Sequence, residues 1–126
     1  MNISNLNNLM HQELVSEKTG EIYSKSVVLT ELFGFQAIFV HHEILPPGRR
    51  TSAPHSHTLR EEMIVVLNGS PTCHFGNQTF LMKSGDFIGF KPGSSELHYI
   101  ENVTNEVVHL LVVCSHPKDD QIIYDL

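Results

Sequence analysis

Turn signals constrain this chain more than any other feature of its sequence. Pro46-Pro47-Gly48, Asn68-Gly69, Gly76-Asn77, Ser84-Gly85-Asp86, Pro92-Gly93 and Asn102 to Asn105 follow one another at close spacing. From Ser70 to Lys91 they leave uninterrupted runs of only five or six residues. Such runs hold a strand, whereas helices in globular proteins average about 10–14 residues. The runs are rich in Val, Ile, Phe and Tyr, as strands are. About ten short strands are expected, with Val107 to Cys114 a near-continuous apolar one of the kind buried on both sides. This pattern predicts an all-β sandwich or barrel. Asn68-Gly69 reads as a hairpin turn. Residues 1 to about 20 are polar and Asn-rich, and their scattered Leu and Val residues predict a short helix or an arm lying against the body.

At 126 residues with 40% hydrophobic content, the chain suits one domain with a real core. We divide it into an arm with the first strand, 1–30, and a barrel, 31–126. The formal net charge of −6 and eight scattered Lys and Arg residues argue against nucleic acid as a partner, since phosphate binding needs clustered cations. The N-terminus has no basic segment followed by an apolar run, and no stretch approaches a membrane span, so neither a signal peptide nor membrane insertion is expected. Cys73 and Cys114 show no CxxC spacing and lie in apolar context. They read as reduced core cysteines in a cytoplasmic protein.

The chemistry concentrates in Pro54-His55-Ser56-His57-Thr58-Leu59-Arg60-Glu61-Glu62. In a strand, alternate side chains share a face, so His55 and His57 point the same way. Imidazole and carboxylate together suit a divalent transition metal such as Fe, Zn, Mn or Ni. His98 is placed to close the cluster.

These residues resemble the cupin superfamily, in particular its small single-domain bacterial members. One family motif reads Gly, about five residues, His-x-His, three or four residues, Glu, six residues, Gly. Here it is Gly48, six residues, His55-Ser56-His57, four residues, Glu62, six residues, Gly69. The second reads Gly-Asp, Pro-x-Gly, then His, three residues, Asn. Here it is Gly85-Asp86, Pro92-Gly93, then His98 and Asn102. Gly48 lies one residue further from the first histidine than usual, Lys91 stands where proline is common, and His98 follows Gly93 by five positions where three is usual. The resemblance implies a double-stranded β-helix, or jelly roll, with a metal held inside the barrel by His55, His57, Glu62 and His98. Glu62, not Glu61, keeps the six-residue interval to Gly69, although a bulge would exchange the two.

The remaining histidines read mostly as structural. His41 and His42 are adjacent, so at most one faces the interior. His74 points outward if Cys73 and Phe75 form the apolar face, and Cys73 then borders the cavity as a pocket candidate. Tyr99 faces away from His98. His109 packs in its strand, and His11 and His116 are exposed. Arg49, Arg50, Arg60 and Lys91 lie near the motif loops, where an anionic small molecule would enter. Two functions from different classes follow. One is a metalloenzyme with dioxygenase- or isomerase-type chemistry. The other is a non-catalytic cupin binding a sugar or organic acid. A jelly roll with purely structural histidines ranks third. Small cupins are often homodimers, so a second copy is the expected partner, with residues 1 to about 30 as the candidate arm.

Overall fold

The computed structural model describes residues 3–126. The strands are β1 (Gln12–Val15), β2 (Ile22–Val28), β3 (Ile38–Leu45), β4 (His55–His57), β5 (Glu62–Asn68), β6 (Thr72–Phe75), β7 (Gln78–Leu81), β8 (Phe87–Phe90), β9 (His98–Glu101), β10 (Val108–Ser115) and β11 (Ile122–Tyr124). They form two antiparallel sheets, one in the order β1-β2-β3-β10-β5-β8 and the other β11-β4-β9-β6-β7. The all-β barrel expected from the turn spacing, and the jelly roll that the resemblance implies, are the observed architecture. Among the described residues no helix is long and apolar enough to cross a membrane.

Strand β10 shows how sequence period becomes fold. Its burial alternates strictly, with Val108, Leu110, Val112 and Cys114 buried and His109, Leu111, Val113 and Ser115 partly exposed. Its continuous apolar run reflects one core face and one half-covered outer face, where burial on both sides was expected. β10 pairs with β3 on one side and β5 on the other, aligning Leu110 with Glu43 and with Val66.

The inward-facing residues change character along each strand. On β3 they run His41, Glu43, Leu45; on β5, Glu62, Ile64, Val66; on β9, His98, Ile100. Leu45, Val66, Val108, Leu110 and Ile100 fill one end of the barrel as an apolar core. The polar members gather at the other end. Sequence alternation thus builds a packed plug and a polar cavity in one interior.

One further expectation is corrected. Asn68-Gly69 does not close a hairpin, because β5 and β6 belong to different sheets. The turn carries the chain across the barrel. Gly69 has φ +100° and sits so close to β10 that a Cβ would fall 2.8 Å from Val108 Cγ2, so glycine is required for both reasons. Gly76-Asn77 does close a hairpin, with Phe75 facing Gln78. The N-terminal segment lies against the body as an edge strand, not as a regular α-helix. After a short 3-10 turn at Leu6–Asn8, β1 and β2 pair as the edge of the larger sheet, with Val27 opposite His42.

Asn102, at the end of the second motif, has no exposed surface. Its Nδ2 donates to Leu45 O at 2.9 Å and Glu106 O at 2.7 Å. Its Oδ1 accepts from Thr104 N at 3.0 Å and Thr104 Oγ1 at 2.6 Å. One amide therefore ties the end of β3 to the turn between β9 and β10.

Candidate metal centre

His55 and His57 stand on β4, Glu62 begins β5, and His98 begins β9. Antiparallel pairing sets His55 directly opposite His98. His55, Glu62 and His98 each place one donor atom within 4.8 Å of the others. His98 Nε2 donates to Glu62 Oε1 at 2.8 Å, and His57 Nε2 lies 3.7 Å from Glu62 Oε2. Glu61 is exposed and outside this group. The longer loop before His98 leaves its ring inside the barrel, 2% exposed and stacked on Phe90 with centroids 3.6 Å apart.

The rings are fixed from behind. His57 Nδ1 donates to Asp120 Oδ2 at 2.7 Å, and Asp120 Oδ1 accepts from the backbone N–H groups of Leu59 and Arg60, each at 2.9 Å. His55 Nδ1 lies 3.0 Å from Ala53 O and 2.9 Å from Ser52 Oγ. Protons held on Nδ1 leave the Nε2 lone pairs facing the site, which is how a carboxylate or carbonyl behind a histidine prepares a metal ligand. Burial, reinforced by the neighbouring His98, pushes His55 down to about 4, so it is neutral at pH 7. Burial raises the Glu62 carboxyl, but the hydrogen bond from His98 and the surrounding imidazoles outweigh it and hold the group below the usual range. Asp120 is likewise raised by burial, but its backbone and His57 donors bring it down to about 2. Imidazoles around an ionised carboxylate are a donor set that fits a divalent transition ion.

These residues line a cavity of about 250 Å³, closed on other sides by Phe39, His41, Glu43, Arg60, Val112 and Tyr124. Leu14, Thr51, Ser52, Ile122 and Tyr124 also line an open groove of about 880 Å³, so the mouth lies between β1 and β11. Arg60 crosses Phe39 with its Cζ 5.3 Å from the ring centroid, and its Nε is buried without a hydrogen-bond partner.

The other sequence candidates fall differently. Cys73 has no exposed surface, belongs to the core cluster and is not among the residues lining this cavity. The inward side of β6 at that level is already in the apolar plug. Burial pushes the Cys73 thiol up to about 11 and the Cys114 thiol up to about 12. His74 stacks on Tyr99 away from His98, as alternation requires. His11 is half-buried, not exposed. Its Nε2 lies 2.7 Å from His42 Nδ1, and His42 Nε2 lies 3.2 Å from His109 Nδ1, a chain of three rings on the outer face of the larger sheet. Asp120, behind His57, and His41 and Glu43, on the cavity wall, are the groups that sequence reasoning missed. Asp120 sat in an ordinary polar loop 63 residues from its partner. Glu43 did carry a signal, as a lone charge inside an apolar strand.

The sequence profile of the Cupin domain family matches residues 41–114. The chain belongs to the cupin family. No curated protein matches this cupin in sequence. Among solved structures it resembles a candidate sugar phosphate isomerase of Acidithiobacillus ferrooxidans, at 24% identity and a TM-score of 0.85, covering 94% of this chain and 76% of that one. It also resembles a predicted oxalate decarboxylase of Thermotoga maritima, at 21% identity and TM-score 0.76, covering 91% and 99%. The polyketide cyclase RemF of Streptomyces resistomycificus is similar at 18% identity and TM-score 0.82, covering 100% and 86%. At these identities the likeness shows a shared cupin fold.

Proposed function

We propose that this cupin is a metal-dependent enzyme acting on a small anionic molecule, with His55, His57, Glu62 and His98 holding a divalent transition ion such as Fe, Zn, Mn or Ni. The observation that carries the reading is the convergence of His55, Glu62 and His98 donor atoms in a walled cavity, with His57 beside them and Nδ1 of both β4 histidines tethered. An ion bound there would polarise a substrate oxygen and, as iron, would open oxygen chemistry as well. Four protein donors leave room for a ligand on a six-coordinate ion. Arg60, whose Nε makes no hydrogen bond and lies 3.9 Å from Asp120 Oδ2, supplies a cationic partner for a carboxylate or phosphate. The neighbours named as isomerase, decarboxylase and cyclase support small-molecule chemistry.

The test is elemental analysis of protein purified without added metal or an affinity tag, alongside His57→Ala and His98→Ala. Near-stoichiometric metal that both variants lose is the expected result. No metal in the wild type, and none taken up on titration, overturns the enzyme reading and leaves a binding module.

The same reading includes self-association. Ile38, Met63, Leu67 and Phe87 are exposed on the outer face and edge of the larger sheet, a surface that a second copy would cover. Light scattering after size exclusion should give a dimer mass that Phe87→Glu lowers; a monomer in the wild type refutes it.

A further inference from the structure

The cavity contains one imidazole that is not a candidate ligand. His41 points inward from β3 and lines the same cavity as Glu62 and His98. Its Nδ1 lies 3.0 Å from Glu43 Oε2 and 3.4 Å from Ser26 Oγ. Glu43 is 5% exposed, and its other oxygen, Oε1, accepts from Ser24 Oγ. Ser24 and Ser26 come from β2, whose register sets Ser26 directly opposite Glu43. Ser24 Oγ and His41 Nδ1 both face the Glu43 carboxyl oxygens, acceptors that hold the His41 proton on Nδ1. Nε2 then carries a lone pair, and among the described residues it makes no hydrogen bond. A carboxylate behind an imidazole, with the far nitrogen facing a cavity, is the arrangement of a general base. The other groups around the cavity are committed elsewhere. Asp120 orients His57, and burial raises the Tyr124 phenol, which is a neutral hydroxyl at pH 7.

We propose that His41 is the proton-transferring residue of this cavity, with Glu43 as its positioning residue, and that the substrate is a small anionic α-hydroxycarbonyl compound. This rests on the metal-site reading above and narrows it to isomerase-type chemistry. The Nε2 lone pair takes the proton from the carbon beside the carbonyl. The C–H electron pair becomes the new C=C bond, and the carbonyl π pair moves to its oxygen, giving an enediolate. The hydroxyl proton passes to the enediolate oxygen, and the imidazolium returns its proton to the former carbonyl carbon as the C=O bond forms on the carbon that was deprotonated. No oxidant, reductant or second substrate is consumed. Arg60 holds the carboxylate or phosphate end. The cavity of about 250 Å³ suits a compound of a few carbons.

The test uses Mn²⁺-loaded protein in D2O with dihydroxyacetone phosphate and with hydroxypyruvate, following loss of the α-proton signal by NMR. Wild-type protein should exchange at least one probe. His41→Asn should slow that exchange by about 10²–10⁴-fold, while metal content and melting temperature stay near wild type. Glu43→Gln should slow it less. A second readout needs no metal: the ring nitrogen shifts of His41 in metal-free protein should report the Nδ1–H tautomer, lost in Glu43→Gln. Exchange by His41→Asn at the wild-type rate overturns the proposal. So does an Nε2–H tautomer, or metal-loaded wild type that exchanges none of the probes. Failure of the metal reading shows separately, as wild type that takes up no Mn²⁺.

Discussion

Replacing Asn102 with Leu keeps the number and branching of side-chain heavy atoms and removes all four of its hydrogen bonds. Leu45 O, in the fully buried end of β3, loses a donor at 2.9 Å and gains none. A buried group stranded in this way costs about 1–3 kcal/mol. Glu106 O and Thr104 N lose partners at 2.7 and 3.0 Å, but both lie nearer solvent and should add about 0.5–1 kcal/mol together. The total, about 2–4 kcal/mol, is a large share of the roughly 5–15 kcal/mol that holds a domain folded. For a chain of this size it should lower the melting temperature by about 6–20 °C. Asn102→Asp separates the donor from the acceptor role. It keeps an acceptor for Thr104 but turns a carboxylate towards two carbonyl oxygens, so at pH 7 it should be at least as damaging. Its deficit relative to wild type should shrink as the pH falls and the carboxyl regains a proton to donate. Differential scanning calorimetry of the three proteins at pH 7 and pH 5 decides. If Asn102→Leu melts within 2 °C of wild type at pH 7, the motif asparagine is not the clamp described above.

Asp120→Asn should weaken metal binding by about 10–100-fold in a chelator competition, because the amide cannot both accept from His57 Nδ1 and keep its contacts to Leu59 and Arg60. Equal affinity would show that the tether is incidental. Burial, with His11 and His109 alongside and Glu43 opposing, pushes His42 down to about 4. The unfolded chain therefore binds a proton at His42 near pH 6.5 that the folded chain takes up only near pH 4, so stability is lost as pH falls through that window. The full shift corresponds to about 3 kcal/mol, and His42→Leu should lose less melting temperature than wild type between pH 7 and pH 4.5; parallel curves would refute it. Cys73 and Cys114 should resist a thiol-reactive disulfide reagent at pH 8 until denaturant is added, given thiols raised to about 11 and about 12 behind complete burial. Prompt reaction in the native state would contradict that burial.

The strands were legible wherever local signals decide. Turn residues bounded them, and alternation placed Cys73 inside and His74 outside. The spacing around His55, His57, Glu62 and His98 was legible because β4 and β9 bring their ends together by simple antiparallel pairing. What escaped were choices made by tertiary neighbours. Asn68-Gly69 has the composition of a hairpin, but the close approach of Val108 makes the turn a crossing between sheets. Asp120 reaches His57 only because β11 pairs with β4, a contact that nothing near residue 120 announces. His41 and His42 could be told to face opposite ways, but which faced the cavity depended on the register between β2 and β3.

That register also sets how β3 can change over generations. Consecutive residues of one strand serve two unrelated histidine systems, His41 and Glu43 within the barrel and His42 on the outer sheet face. Point substitutions can alter either system alone. Loss or gain of one residue between Ile38 and His41 cannot, because it would turn every later side chain of the strand over until a bulge absorbed the shift. His42 would enter the cavity, while Leu45 would leave the core for solvent. Length variation among descendants of this sequence should therefore collect in the loops on either side of β3, at residues 34–37 and 46–49, and be missing from the strand itself.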